Sequence, residues 1–144
     1  MKNKHQEILS SIDSTLTIVD RLMGGMSNYT YLVTNGEEKY VFRIPGEGAE
    51  NFVDNYIEEK NMNTIESLWI NSNTTYLDPS KGYKIAKYIE GSMLTDDCSL
   101  EDVTSTLKKL HDSKFLFDNN YDHLERLASY EKIHTNNVEE YQDL

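Results

Sequence analysis

The chain has one cysteine, Cys98, and two prolines among 144 residues. A lone thiol excludes an internal disulfide, and no Cys/His spacing has the form of a zinc site, so the sequence reads as that of a protein from a reducing, cytoplasmic setting. Cys98 follows two aspartates and lacks the basic surroundings that lower a thiol's pKa, which argues against a nucleophilic role. Positive charge is also scarce. Against 25 Asp and Glu stand 14 Lys and Arg, for a net charge of -11, and the basic residues do not cluster. Such a surface repels phosphodiester backbones, so the sequence argues against a nucleic-acid partner. No apolar run approaches the roughly 20 residues that span a bilayer, and the N-terminal MKNKHQEILSSI lacks the apolar core of a secretion signal, so no membrane partner is expected. Repeats and low-complexity tracts are missing too.

What remains is enough apolar sequence, 38% of residues, for one modest core. Residues 4 to 12 have the pattern of a short amphipathic helix. TLTIVDRL and NYTYLVT are rich in β-branched and aromatic residues, and the second alternates, with Tyr29, Tyr31 and Val33 on one face and Thr30 and Leu32 on the other. Asn35-Gly36 predicts a tight primed hairpin turn into a third strand, KYVFRI, which Pro45-Gly46 ends. Residues 51 to 69 change to helical period through Val53, Ile57, Ile65 and Leu68, with Asn51 as a candidate cap. NTTYLD and GYKIAKYIE then read as two strands around the turn residues 78 to 82. After Gly91 the chain is helical: Ser99 and Asp102 approximate a capping box, and Leu100, Val103, Leu107 and Leu110 mark a stripe expected to be buried. A last helix is expected from about residue 122 to 133, through Leu124, Leu127 and Ala128. The fold class is α+β, with about five antiparallel strands and one inserted helix, followed by helices.

Three features could carry chemistry. Gly24-Gly25-Met26-Ser27-Asn28 joins two strands, and its glycines let backbone N–H groups approach a ligand's phosphates; by itself such a link also reads as a plain turn. Neither GxxxxGK[ST] nor GxGxxG is present. Arg43 interrupts the apolar VFRI: it is a cation that either faces solvent or needs a partner. The following helical segment carries Glu58 and Glu59. The order glycine link, hairpin, strand cation, helix carboxylate is the one by which a kinase small lobe grips a triphosphate. His111, in the last turn of LKKLHDS, suits a helix-end role and is given no chemistry.

LMGGMSNYTYLV, YVFRIPG, YIEEKNMNTI, IAKYIEG and LKKLHDS, in that order, resemble the choline and ethanolamine kinases and, more widely, the aminoglycoside phosphotransferase superfamily. The resemblance covers roughly residues 15 to 133, and GGxSN followed by RIPG is its sharpest part. It implies a kinase-like small lobe over residues 1 to 90, and the hinge and the beginning of a helical lobe over residues 91 to 144. It also implies that Gly24, Gly25, Ser27 and Asn28 lie over the phosphates of ATP, that Arg43 contacts them, and that Glu58, by a narrow preference over Glu59, supports Arg43. The backbone of Lys87 and Ile89 would pair with adenine, with Tyr88 packed nearby. The activity implied is MgATP-dependent phosphorylation of choline or ethanolamine, with another small-molecule kinase (acting on an aminoglycoside, a sugar amine or homoserine) or a non-catalytic binding module as alternatives. One part of the pattern is absent. No histidine of the chain is followed two residues later by Asp, so the H-x-D-x-x-x-x-N loop and the later magnesium-binding Asp do not occur. The expectation is an N-terminal portion that does not transfer phosphate by itself, the metal ligands belonging to the part that follows.

Overall fold

A computed structural model describes residues 2–25, 27–49, 53–91, 99–120 and 122–141. Its elements in chain order are α1 (Lys2–Ile12), β1 (Thr17–Leu22), β2 (Asn28–Thr34), β3 (Lys39–Pro45), α2 (Asn55–Ile65), β4 (Thr74–Asp78), β5 (Tyr83–Lys87), α3 (Leu100–Asp112) and α4 (His123–Tyr141). The strands form one antiparallel sheet in the order β1-β2-β3-β5-β4.

Alternation along the strands sorts the side chains onto two faces. Tyr31, Val33, Phe42, Ile44 and Ile85 are buried on one face, against Leu9 of α1 and with Leu16 and Ile18. Helix α1 brings polar groups to this face as well. His5 is buried, with its Nδ1 and the Tyr31 hydroxyl hydrogen-bonded at 2.6 Å. Burial is the main cause that lowers its pKa, which favours the neutral ring. Gln6 blunts the edge of the sheet: its amide accepts from the Ile18 N–H at 2.8 Å and donates to the Leu16 carbonyl at 3.0 Å, supplying partners that edge strand β1 would otherwise lack.

Several local expectations are corrected. The β2–β3 connection is a four-residue loop rather than a tight primed turn, because Thr34 pairs with Lys39. Only Gly36 takes a positive φ, 97°, while the Asn35 side chain accepts from the N–H groups of Glu37 and Glu38. Asn51 lies outside the described residues; the observed cap of α2 is Asp54, whose carboxylate accepts from the Tyr56 and Ile57 N–H groups, so Val53 precedes the helix. Past Ile65 the chain tightens into a 3₁₀ turn, Glu66–Leu68. Strand β1 starts at Thr17, because Thr15 folds back to bond the Asp13 carboxylate. Strand β5 stops at Lys87, short of the expected residue 90. The Tyr88 N–H reaches the Lys39 carbonyl at 3.1 Å, and β3 begins there, leaving nothing further to pair. The stripe on α3 is not buried: Leu100 is 80% exposed and Leu107 51%. Helix α4 starts at His123 and runs on to Tyr141, with Leu124 and Leu127 exposed. Ser99 does cap α3, accepting from the Asp102 N–H. Around it, Lys109 donates to the Leu68 carbonyl and Asn61 to the Asn119 side chain at 2.9 Å.

The turn between β4 and β5 rests on one glycine. Asp78 accepts from Ser80 and Lys81, and the Gly82 N–H donates to the Asp78 carbonyl at 2.8 Å. Gly82 has φ 69°, and a Cβ there would sit 2.5 Å from Pro45 Cγ and 2.8 Å from Asn55 Nδ2. Gly82→Ala combines a disfavoured φ with a clash between β3 and α2. It should cost about 1–3 kcal/mol, read as a fall of several degrees in Tm, whereas Gly91→Ala meets open space and should leave Tm nearly unchanged.

Candidate functional site

The second face of the sheet holds a charged cluster beside a cavity. Thr30, Val41, Arg43, Lys84 and Ala86 line a cavity of about 370 Å³ together with Ser72, Lys87, Tyr88 and Ile89. Arg43 reaches it by period alone, as it alternates with the buried Phe42 and Ile44. The same register puts Thr30 beside it on β2 and Lys84 beside it on β5.

Helix α2 supplies the anion. Arg43 Nη1 donates to Glu58 Oε1 at 2.8 Å and Nη2 to Oε2 at 2.6 Å, a two-bond fork. Lys84 Nζ lies 3.5 Å from the same Oε1 and 2.9 Å from the Met62 sulfur. The three charged side chains are 22%, 20% and 15% exposed for Arg43, Glu58 and Lys84. Burial alone would raise the pKa of Glu58, but hydrogen bonding and charge from Arg43, then Lys84, outweigh it and hold the carboxyl below its ordinary value. Burial pulls Lys84 down from the usual lysine value, Glu58 opposes this, and Arg43 adds to it. Arg43 Nε is buried without a hydrogen-bond partner among the described residues.

The other sequence candidates fall in three places. Glu59 lines a different depression, with Trp69 and Tyr76 on its rim, while Glu58 meets Arg43. Asn28 and Arg43 share a smaller depression of about 150 Å³ with Pro45, Asn55 and Ser80. Gly24 (φ 135°), Gly25 and Ser27 line neither this depression nor the larger cavity; the Ser27 carbonyl accepts from the Gly46 N–H at 2.8 Å, which ties the link to the end of β3. At the other end, the Lys87 N–H donates to the Asn73 carbonyl at 2.8 Å, and the Lys87 side chain turns outward to Glu38. The Ile89 N–H has no backbone acceptor among the described residues.

Lys84, Val41, Ala86 and Thr30 were missed as site residues in the sequence. The available signal was alternation in GYKIAK once Ile85 is assigned to the core, since it places Lys84 and Ala86 on the opposite face. Among the described residues no cluster of three or more acidic, His or Cys side chains could hold a metal ion, and no helix is long and apolar enough to cross a membrane.

An apolar slot with two cations at one end and, at the other, a backbone N–H without a backbone acceptor among the described residues suits a flat heteroaromatic group joined to an anion, and Arg43 Nε, without a partner among the described residues, is a donor such an anion could engage. No family model matches the chain. It is 28% identical over 126 residues to Protein LicA of Haemophilus influenzae, across 83% of this chain and 37% of that protein. Among solved structures it is similar to choline kinase LicA from Streptococcus pneumoniae, with TM-score 0.74, 22% identity, and 90% and 48% of the two chains covered. A structure of LicA in complex with AMP gives TM-score 0.70, 23% identity, and 92% and 48% coverage. The streptomycin–ATP complex of the aminoglycoside phosphotransferase APH(2'')-IIa gives TM-score 0.62, 18% identity, and 100% and 53% coverage. The chain thus has the N-terminal fold of choline kinases and aminoglycoside phosphotransferases, and spans about half the length of these solved chains and 37% of the Haemophilus influenzae protein.

Proposed function

We propose that the chain is the nucleotide-binding part of a small-molecule kinase that uses MgATP to phosphorylate a cationic alcohol, choline first and ethanolamine second. The observation that carries this reading is the Arg43–Glu58 fork at the end of an apolar cavity. Arg43 holds the phosphates and Glu58 fixes the guanidinium. Gly24, Gly25, Ser27 and Asn28 cover the phosphates with backbone N–H groups and short polar side chains. The Lys87 carbonyl and Ile89 N–H pair with the adenine edge, and Val41, Ala86 and Tyr88 bound the slot. ATP supplies the transferable phosphoryl group. Catalysis of such a transfer is almost entirely positioning and electrostatics, and the base and magnesium ligands that provide them are absent from the motifs of this chain. Residues 1 to 90 form the small lobe, and residues 91 to 144 begin the helical one.

Calorimetry and thermal melting with MgATP test the reading. Ligand at about 100 times its Kd adds about 2.7 kcal/mol, so Tm should rise by several degrees, while choline phosphorylation by these residues alone should be negligible. No binding at millimolar MgATP would overturn the nucleotide assignment; turnover would overturn the division of labour. The aminoglycoside phosphotransferase neighbour supports an amino-sugar substrate as the second reading, which phosphorylation by the whole protein distinguishes.

A further inference from the structure

Lys84 is the charged group of the cleft that the proposed mechanism leaves without a task. It sits directly across the β3–β5 ladder from Arg43, and both reach the same Glu58 oxygen, at 2.8 Å from Arg43 and 3.5 Å from Lys84. Like charges opposite each other on neighbouring strands are unfavourable, and enclosure sharpens the cost. The one carboxylate in contact among the described residues neutralises one of the two cations. Its two oxygens are already taken by the Arg43 fork at short distances, so Lys84 is left with a long contact and a thioether, a weak acceptor. A cation whose only role was to anchor α2 would be expected to hold the closer, stronger bond. In this cluster that bond belongs to Arg43.

We infer that Lys84 is a positioning residue for the phosphates: its ammonium gives the Arg43–Glu58 pair a net positive charge and retains Glu58 from the β5 side when an anion draws Arg43 toward the cleft. This rests on the reading of the cleft as a nucleotide site. Anion binding then compensates a charge that the ligand-free cluster leaves over. The dependence of affinity on Lys84 therefore grows with the number of phosphates and vanishes for the nucleoside. Burial lowers the pKa of Lys84, as expected for an ammonium with incomplete compensation.

Lys84→Met keeps most of the length of the side chain and removes its charge. Calorimetry with adenosine, AMP, ADP and ATP, the last two with magnesium, on the native chain, Lys84→Met and Lys84→Arg tests the inference. For Lys84→Met, the MgATP Kd should rise by about tenfold or more, the rise should shrink from ATP to AMP, and adenosine should bind as it does to the native chain. Tm without ligand should stay near native, since Glu58 keeps its Arg43 fork, and Lys84→Arg should restore most of the MgATP affinity. Native-like MgATP binding by Lys84→Met, or an equal loss for adenosine and ATP, would overturn the role of Lys84 while leaving the nucleotide site standing. If the native chain binds none of the four ligands, the nucleotide site fails and the role of Lys84 fails with it.

Discussion

Phe42→Ala should cost about 3–5 kcal/mol, the largest stability loss of any single truncation on the buried face. Phe42 is fully buried at the middle of the central strand, paired with Tyr31 on β2 and Ile85 on β5, with the Tyr83 ring edge-on at 6.5 Å. A cavity left there cannot close easily, since both flanking strands are held by their own ladders and Leu9 and Val33 beside it are fully buried. Native stabilities are typically about 5–15 kcal/mol, so the variant should melt at least ten degrees lower and populate unfolded chain at modest urea. Trp69→Ala provides the contrast. Trp69 is larger but 85% exposed, and its removal should move stability by no more than about 0.5 kcal/mol. Paired urea melts of the two variants measure the difference; a small loss at Phe42 would mean that the sheet does not pack around it.

The same alternation that makes Phe42 central made most of the sheet legible. A period of two in NYTYLVT and KYVFRI separates core from cleft without tertiary information, and turn signals and β-branched or aromatic composition add the other three strands. Partnership is what a one-dimensional pattern cannot carry. The stripe on α3 states which side would be covered, but nothing in the sequence says whether a cover is present, and Leu100 and Leu107 are exposed. The end of β5 was misplaced for a similar reason, because it depends on where β3 begins. Helix α4 outran its apolar stripe because the residues beyond it contain neither Gly nor Pro to stop a helix. Arg43 stood out as a cation inside an apolar strand. Lys84, between Tyr83 and Ile85 in a segment with a second lysine, carries no such contrast in the sequence, and only the β3–β5 register sets it beside Arg43.

That register also makes the two partners of the central ion pair unequal. Arg43→Ala should abolish the MgATP-induced rise in Tm while costing only about 1–2 kcal/mol of ligand-free stability, because Lys84 remains 3.5 Å from Glu58 and keeps the carboxylate compensated. Glu58→Ala is the more disruptive change. It leaves two largely enclosed cations facing each other across the ladder with no carboxylate in contact among the described residues, and the loss should reach about 2–4 kcal/mol after allowance for their partial exposure. Its pH dependence has a definite sign. The folded pKa of Lys84 already lies below the usual 10.5, and losing the attraction of Glu58 lowers it further. Between that folded value and the unfolded one, the unfolded chain binds more protons, so stability rises with pH. The deficit of Glu58→Ala should therefore be full below the folded pKa of Lys84 and narrow as the pH rises toward 10.5, whereas that of Arg43→Ala, which removes a charge that lowers the pKa of Lys84, should widen over the same range. Urea melts of both variants from neutral to alkaline pH read this directly. A larger ligand-free loss for Arg43→Ala than for Glu58→Ala would show that Lys84 does not share the carboxylate.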